Sequence, residues 1–532
     1  MQKILNRIEK IHILYIVIFL FSLSFISYGN TLGNSLFFDD EDFIYKNIYV
    51  QKFSIVDIFT HNLIAGAGKI SNYYRPVLSI IYSIIYSISM DNGMLYHLAG
   101  IILHAGAGTA LFLLLKKMFS STGIALISSV IFIIHPINTE AVAYASGIND
   151  PLSSLFIIST IIISLGNNKY KKIISAFLFT IALLSRETAI ITPALIFIIF
   201  LFETKSIKET FIKTKSIIPL IIIALLYFLL RLTILNFQNT LNFFPVATAY
   251  STNIIFRVLT FFSIIPEYIA LIFFPKTLNI EREVPVVISY FSKISFFIII
   301  MLIGIFDLCL KYFNKYPVFL FSFLWFFITI SPTMGIIPIN GIMYEHFLYL
   351  SSIGIFLPFS FCFITVLKKI SNKSAILITF LLLIFLIGLI IRTINRNNDW
   401  NNPITFYTQT IKINSNSARL HNNLAMAFAE NKQNKEAIKE YKEAIRINDI
   451  YAETHFNLAN SYVGINDLKN AEAEYKKALE INPLFLRGYT NLVSLYKYQK
   501  RNKDKEEIIK YVNKIAEKNK EILPFIKYLK GL

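Results

Sequence analysis

Four carboxylates stand in a row at Asp39-Asp40-Glu41-Asp42, between Phe37-Phe38 and Phe43-Ile44-Tyr45. They follow directly on the first membrane-length apolar run, which puts them at a membrane–water boundary. Crowded acids in that setting repel one another and lose solvent, which raises their pKa and favours keeping a proton close by. Such a cluster suits a general base, a metal ligand or a cation site, and equally an exposed acidic loop. Other chemistry-bearing side chains gather in similar places: Asn47, His61 and Tyr73-Tyr74-Arg75-Pro76, then His135-Pro136-Ile137-Asn138-Thr139-Glu140, then Arg186-Glu187, then Tyr344-Glu345-His346. Each alone reads as well as a solvated loop; their joint occurrence between apolar runs points to a site. His97 and His104 share one face of an apolar helix, where a helix–helix hydrogen bond is the expected role for His104. No Walker A, Gly-x-Gly-x-x-Gly or His-Glu-x-x-His spacing occurs, so no nucleotide or zinc site is assigned. The two cysteines, Cys309 and Cys362, lie in apolar runs and read as packing thiols. A divalent ion is compatible with the carboxylates, but no spacing calls for one.

These groups need elements to hold them. The 532 residues are 55% hydrophobic with mean hydropathy +0.57, which fits a polytopic α-helical membrane protein and no soluble class. The net charge of +18 is read as Lys and Arg in cytoplasmic loops, not as a nucleic-acid surface. Arg7 and Lys10 precede an apolar run to about Tyr28 with no small-residue cleavage pattern, so an uncleaved first helix with its start inside is expected. Residues 29–92 are then an outer loop. Pro76–Met90 within it repeats Ser79, Ser83 and Ser87 along one face and is expected to lie at the outer interface. Further spans are expected near 93–115, 122–134, 150–166, 172–185, 188–202, 216–235, 294–310, 317–330, 347–367 and 374–391, about eleven in all. Lys116-Lys117, Lys171-Lys172, Lys205, Lys311 and Lys368-Lys369 then fall inside, and all four polar stretches fall outside. Arg257, Pro266 and Glu267 interrupt 254–275, which is expected to be re-entrant or interfacial, the alternative being a full span with another partner.

From Arg392 the composition turns polar and a repeat of 34 residues begins. Asn423-Leu424-Ala425 returns as Asn457-Leu458-Ala459 and as Asn491-Leu492; Ala437, Tyr441 and Ala444 return as Ala471, Tyr475 and Ala478. Period and positions are those of the tetratricopeptide repeat, a helix pair that stacks into a superhelix. The expected fold class is all-α. A membrane helical bundle over 1–391 is followed by a linker and half repeat at 392–417. Three repeats fill 418–519, the third degenerate, with a helix or tail at 520–532. Asn423, Asn457 and Asn491 are candidates for binding an acceptor on the repeat face.

The residues resemble a known family. Phe38-Asp39-Asp40 with Ile44 and Asn47, Tyr74-Arg75-Pro76-Val77-Leu78, and Tyr96-His97-Leu98 with Leu103-His104 resemble the first loop and next helix of the transmembrane and tetratricopeptide-repeat O-mannosyltransferases (TMTC-like). His135-Pro136-Ile137-Asn138-Thr139-Glu140-Ala141-Val142-Ala143 resembles the family's loop motif, and Leu184-Ser185-Arg186-Glu187-Thr188 its Lys-Glu turn. Tyr344-Glu345-His346-Phe347-Leu348-Tyr349-Leu350 resembles its Glu-Arg-x-x-Tyr-x-Pro segment, with His346 where Arg is usual and Leu350 where Pro is usual. That family is similar to GT-C glycosyltransferases. The resemblance implies inverting transfer of a hexose such as mannose from a polyprenyl-phosphate donor to a protein hydroxyl. Asp40 or Asp39 would be the base, with Asp40 preferred. Arg75, Arg186 and His346 would serve the leaving phosphate, and His135, Glu140, Glu187 and Glu345 the sugar or the loop. The expected setting is a bacterial inner membrane, with the outer loops and repeats extracytoplasmic, in contact with membrane lipid and not with nucleic acid. The competing reading is a non-enzymatic membrane anchor displaying a repeat scaffold for envelope assembly.

Overall fold

A computed structural model describes residues 7–166, 169–238, 248–337 and 341–531. Every regular element among them is helical, and the chain divides into two compact units, Met1–Asn402 and Pro403–Leu532. The first is a bundle of apolar helices whose shared core includes Leu111, Phe132, Ile158, Phe179, Ile199 and Trp325. Outward-facing apolar residues on Ile207–Leu232, Lys293–Lys311 and Asn372–Asn398 stay exposed, as lipid-facing surface requires. This is a multi-pass membrane protein. Among the described residues, eight helices are long and apolar enough to cross a membrane, or up to ten when two bent pairs each count as one span.

The helix count differs in kind from the expected eleven. Ile254–Phe273 forms one unbroken helix of 20 residues, long and apolar enough to span, which is compatible with the full-span alternative for this stretch. Arg257 does not break it because carbonyls of Ser251 and Gly335 take its guanidinium, and Pro266 sits inside the helix. Pro76–Ser89, in contrast, is a short apolar helix that buries Leu78, Ser79, Tyr82 and Ser83 while Ser87 stays exposed. His104 bridges helices as expected, with Nδ1 2.7 Å from the Tyr349 hydroxyl and Nε2 3.0 Å from the Ile133 carbonyl.

The polar turn at Arg392 falls within a helix, Asn372–Asn398. Its last polar turns still serve the bundle: Thr393 donates to the Ile134 carbonyl at 2.6 Å and Asn397 to the Ser27 carbonyl at 2.8 Å. The second unit is a stack of helix pairs, Ala418–Glu430 with Asn434–Ile447, Ala452–Gly464 with Leu468–Ile481, and Leu486–Tyr498 with Asn502–Lys518. The repeating Ala437, Tyr441, Ala444, Ala471, Tyr475 and Ala478 are buried between them. His421 and His455, one repeat apart, pair with Glu440 at 2.7 Å and Glu474 at 2.6 Å, themselves one repeat apart. The same register in successive units is what a solenoid built on nearest-neighbour contacts requires.

Candidate active site

The acidic stretch divides by environment. Phe38 adopts a left-handed backbone (φ 61°), and a π-helical turn covers Glu41–Tyr45. A bulky residue at positive φ beside a π-turn is local strain of the kind that gathers at functional sites. The turn sends Glu41 to Lys46 and Asp42 to Lys69 at the surface. It sends Asp40 inward, where it is 1% exposed. The Asp40 carboxylate accepts the Phe37 backbone N–H at 3.1 Å, the Ser146 backbone N–H at 2.7 Å and the Ser146 hydroxyl. Burial pushes its pKa up to about 7, against the opposing pull of those hydrogen bonds, with Asp39 adding to the rise. Asp39 is exposed, and its backbone N–H donates to the Tyr144 hydroxyl at 2.9 Å. Of the two aspartates that the resemblance implies as base, Asp40 is thus the buried one and Asp39 the exposed one. Both Asp40 oxygens are engaged within the protein, whereas the Asp39 side chain reaches the surface.

The segment Tyr144–Asp150 is the hub, and it has no motif of its own. Tyr144 holds Asp39, Ser146 holds Asp40, and Asn149 and Asp150 hold Arg186, the first at 2.9 Å and the second in a buried ion pair. Gly147 lets the segment lie against the Glu140 carbonyl; a Cβ there would overlap it. Arg75 makes a two-point pair with Glu187, at 3.2 and 2.9 Å. Burial raises the Tyr73 phenol pKa, and Arg75, Glu187 and Asp39 all act on it, so Asp39 lies within electrostatic reach of that pair. Arg75 and Arg186 are two of the phosphate ligands that the resemblance implies. Both are already matched by a carboxylate, which leaves little charge for a phosphate.

Across the site, Glu140 accepts the His346 backbone N–H at 3.0 Å and pairs with His346 Nδ1 at 2.6 Å. This arrangement places the proton on Nδ1 and leaves Nε2 for another partner. Glu345, fully buried, accepts from Arg282 at 2.9 Å and from the Asn279 backbone, with Arg396 3.8 Å away. It anchors the loop and is closed to a substrate. His135 is likewise structural: Nε2 donates to the Ile272 carbonyl at 2.8 Å and Nδ1 accepts the Ile137 N–H at 3.2 Å. Trp400 stacks on Tyr144 with ring centres 5.1 Å apart. Sequence reading missed Tyr144, Ser146, Asp150, Arg282, Arg396 and Trp400, because none lies in a patterned stretch. A carboxylate or Arg near a span end was the available signal for Asp150 and Arg396.

Two spaces flank the bent segment 345–367. One is polar and is bordered by Asp150, Arg186 and His346. The other is an apolar groove of about 390 Å³ walled by residues such as Ile131, Phe273, Phe356, Phe359 and Phe385. Among the described residues no three His, Cys, Asp or Glu side chains converge as a metal site. In the second unit Asn423, Asn457 and Asn491 are each half-buried, and Asn491 donates to Asn460 at 2.8 Å, so that one is committed between repeats.

Descriptions of the TPR repeat and the tetratricopeptide repeat match residues 427–465 and 452–483. Protein O-mannosyl-transferase F38B6.6 of Caenorhabditis elegans is 26% identical over 442 residues, 80% of this chain and 61% of that protein. Protein O-mannosyl-transferase TMTC3 of Mus musculus is 25% identical over 458 residues, 77% of this chain and 49% of that protein. The chain is therefore similar to O-mannosyl-transferases over about four-fifths of its length. The chain spans about half to three-fifths of the length of the curated relatives it matches. A solved crystal structure, that of MamA, is matched over 30% of this chain and 85% of that chain at 24% identity and a TM-score of 0.21, which carries no weight for the fold.

Proposed function

We propose that the chain is a membrane glycosyltransferase that moves a hexose from a polyprenyl-phosphate carrier to a protein hydroxyl, with inversion, on the extracytoplasmic side. The observation that carries this is the pairing of an accessible Asp39 with an apolar groove in the same bundle. A prenyl tail lies in such a groove at no cost in water, while its head group meets the polar loops. Similarity to proteins named O-mannosyl-transferases supports a protein acceptor and a hexose donor.

Asp39 takes the proton of the acceptor hydroxyl as its oxygen attacks C1 of the sugar. The bond from C1 to the carrier phosphate breaks on the opposite face, and the phosphate leaves as an anion. Asp40 and Tyr144 are positioning residues: they hold the backbone on either side of the Asp39 carboxylate. His346, oriented by Glu140, faces the leaving phosphate with Nε2. Arg392, which donates to the Pro275 and Lys276 carbonyls at 3.0 and 2.9 Å, and Lys276 itself supply further positive charge beside Phe273 and Phe274 of the groove. The repeats present the polypeptide through Asn423 and Asn457. The carrier in a bacterial inner membrane is undecaprenyl phosphate. The test is transfer of labelled sugar from polyprenyl-phosphate donors to protein in membranes. Wild-type transfer that Asp39→Asn leaves undiminished would overturn the base assignment.

A further inference from the structure

The end of the bundle away from the acidic loop carries a basic cluster that no carboxylate balances. Thr192–Thr204 starts beside the Glu187 turn, and Pro317–Ile330 finishes at Thr329 and Thr333 of the polar cavity. Their other ends therefore lie about 20 Å from the site, the rise of 13 or 14 helical residues. There Lys205 Nζ reaches the Asn314 carbonyl at 3.4 Å, which brings it to the turn that holds Lys311 and Lys315. Phe202 packs on Phe321 with ring centres 5.6 Å apart, which fixes the two helix ends to one another. The Lys311 and Lys315 ammonium groups lie over the Tyr312 and Tyr316 rings, 5.9 and 5.2 Å from their centres. All three lysines are exposed, and among the described residues none is paired with an acid. Glu203, the nearest acid in sequence to Lys205, is taken by Lys213 at 3.0 Å. Asp307, one turn back from Lys311, makes no ion pair among the described residues. Lys293–Lys311 itself buries only Ser295 and Ile298, both in its first two turns, while Ile303, Ile305, Leu308 and Leu310 face outward. Its later turns are held to the bundle by little protein, and they end at the cluster.

We propose that this cluster binds one anionic glycerophospholipid of the leaflet opposite the acidic loop, and that the lipid ties the outlying end of Lys293–Lys311 to Thr192–Thr204. The phosphate sits among the three ammonium groups, whose stems reach along the apolar surface. The acyl chains lie along the outward Ile and Leu side chains, in continuity with the lipid-facing surface of that helix. Tyr312 and Tyr316 supply the amphipathic rings that favour the headgroup level. Keeping a loop on one side of a membrane takes only charge, and lysines scattered along any loop provide it. Convergence of cations from two separate turns onto one place, with no acid paired to them, is what a phosphate needs and loop retention does not. The polyprenyl donor is no rival for this place, because its phosphate belongs with the polar loops a helix length away. The proposal stands whether or not the chain transfers sugar.

The experiment places the full chain in nanodiscs of phosphatidylcholine, with or without phosphatidylglycerol. It reads hydrogen exchange along Lys293–Lys311 and, by mass spectrometry, the lipids that the purified chain retains. In the wild type, phosphatidylglycerol should slow exchange in the last turns of that helix and be retained over phosphatidylcholine. Each of Lys205→Gln, Lys311→Gln and Lys315→Gln should cut that preference about fivefold, the worth of one cation beside an anionic bilayer surface. Lys169→Gln with Lys172→Gln, a larger loss of charge at the same end of the bundle, should leave both readouts alone. Unchanged exchange in Met94–Phe119 reports an intact fold in every variant. No effect of phosphatidylglycerol on the wild type, or an equal loss in the Lys169→Gln, Lys172→Gln variant, overturns the site. Glycerol 1-phosphate that gives the same protection in phosphatidylcholine alone would show a free phosphate in place of a lipid, and overturns it as well.

Discussion

Replacing Asp40 by Asn separates a positioning carboxylate from a reacting one. The buried carboxyl has a pKa raised from its ordinary value near 3.8 to about 7, so its ionised form costs the folded state about 4 kcal/mol relative to the unfolded chain. The folded state holds a proton that the unfolded chain releases. The contribution is therefore fully present below about pH 4, is lost as pH rises from 4 to 7, and stays lost above that. Asn does not titrate. It keeps an oxygen for Ser146 but turns an N–H toward the Phe37 N–H, which costs about 1–3 kcal/mol at any pH. The wild-type chain should thus be the more stable at pH 4.5 by about 1–2 kcal/mol, and Asp40→Asn the more stable at pH 8 by a similar margin. Unfolding followed by the fluorescence of Trp325 and Trp400 in nanodiscs, at both pH values, measures the difference. A difference of the same sign and size at pH 4.5 and pH 8 would refute the buried, raised carboxyl.

Asp39→Asn should cut transfer by about 10²–10⁴ with unfolding unchanged, the usual worth of a general base, while Asp40→Asn at pH 8 should cost far less activity. Arg186→Met strands the buried Asp150 carboxylate and should cost about 3–5 kcal/mol, most of which Arg186→Met with Asp150→Leu should restore; an additive double variant counts against the pair. Gly147→Ala drives a methyl into the Glu140 carbonyl and should lower both stability, by about 1–3 kcal/mol, and transfer; wild-type levels of both would show that the hub can shift freely. In the repeats, His455 has a pKa raised above its ordinary 6.5: burial opposes this, but Glu474 and Asp449 outweigh it. Its stabilising contribution is present below about pH 6.5 and lost as pH rises through the raised value. Hydrogen exchange in Ala452–Gly464 should therefore quicken with pH beyond its intrinsic rise in the wild type and not in His455→Gln; matching profiles would contradict it.

Apolar run length and a 34-residue period carry most of the fold in plain view, because lipid and stacked repeats both impose long-range regularity on side-chain type. The polar stretches were legible for the same reason: charge between apolar runs is conspicuous. What could not be read is which charge meets which. Arg75 and Arg186 look alike in sequence, and only the fold shows each already matched by an acid. Asp39 and Asp40 are adjacent, and their opposite fates come from the left-handed Phe38 and the π-turn that follows, neither of which a Phe-Asp-Asp string announces. In Ile254–Phe273 a cation and a proline lie inside an apolar run that would normally end at them; here backbone carbonyls take the cation and the helix continues. The hub escaped because Tyr144, Ser146 and Gly147 act through backbone approach, which leaves no side-chain pattern.

The bonds that assemble the site join positions far apart in the chain: 106 residues between Asp40 and Ser146, 112 between Arg75 and Glu187, 206 between Glu140 and His346. During synthesis each charge therefore emerges long before its partner exists. Arg75 waits through five more apolar helices for Glu187, and Glu140 waits through most of the remaining bundle for His346. Until then these charges sit unpaired beside the bilayer, where they are expensive and draw water or insertion machinery. The Trp400 ring, which completes the wall behind Tyr144, arrives last of all. The order of biogenesis thus keeps the acidic loop incomplete until the whole bundle is in place, so a partly inserted chain carries every membrane anchor of the mature protein's first half and none of its finished chemistry.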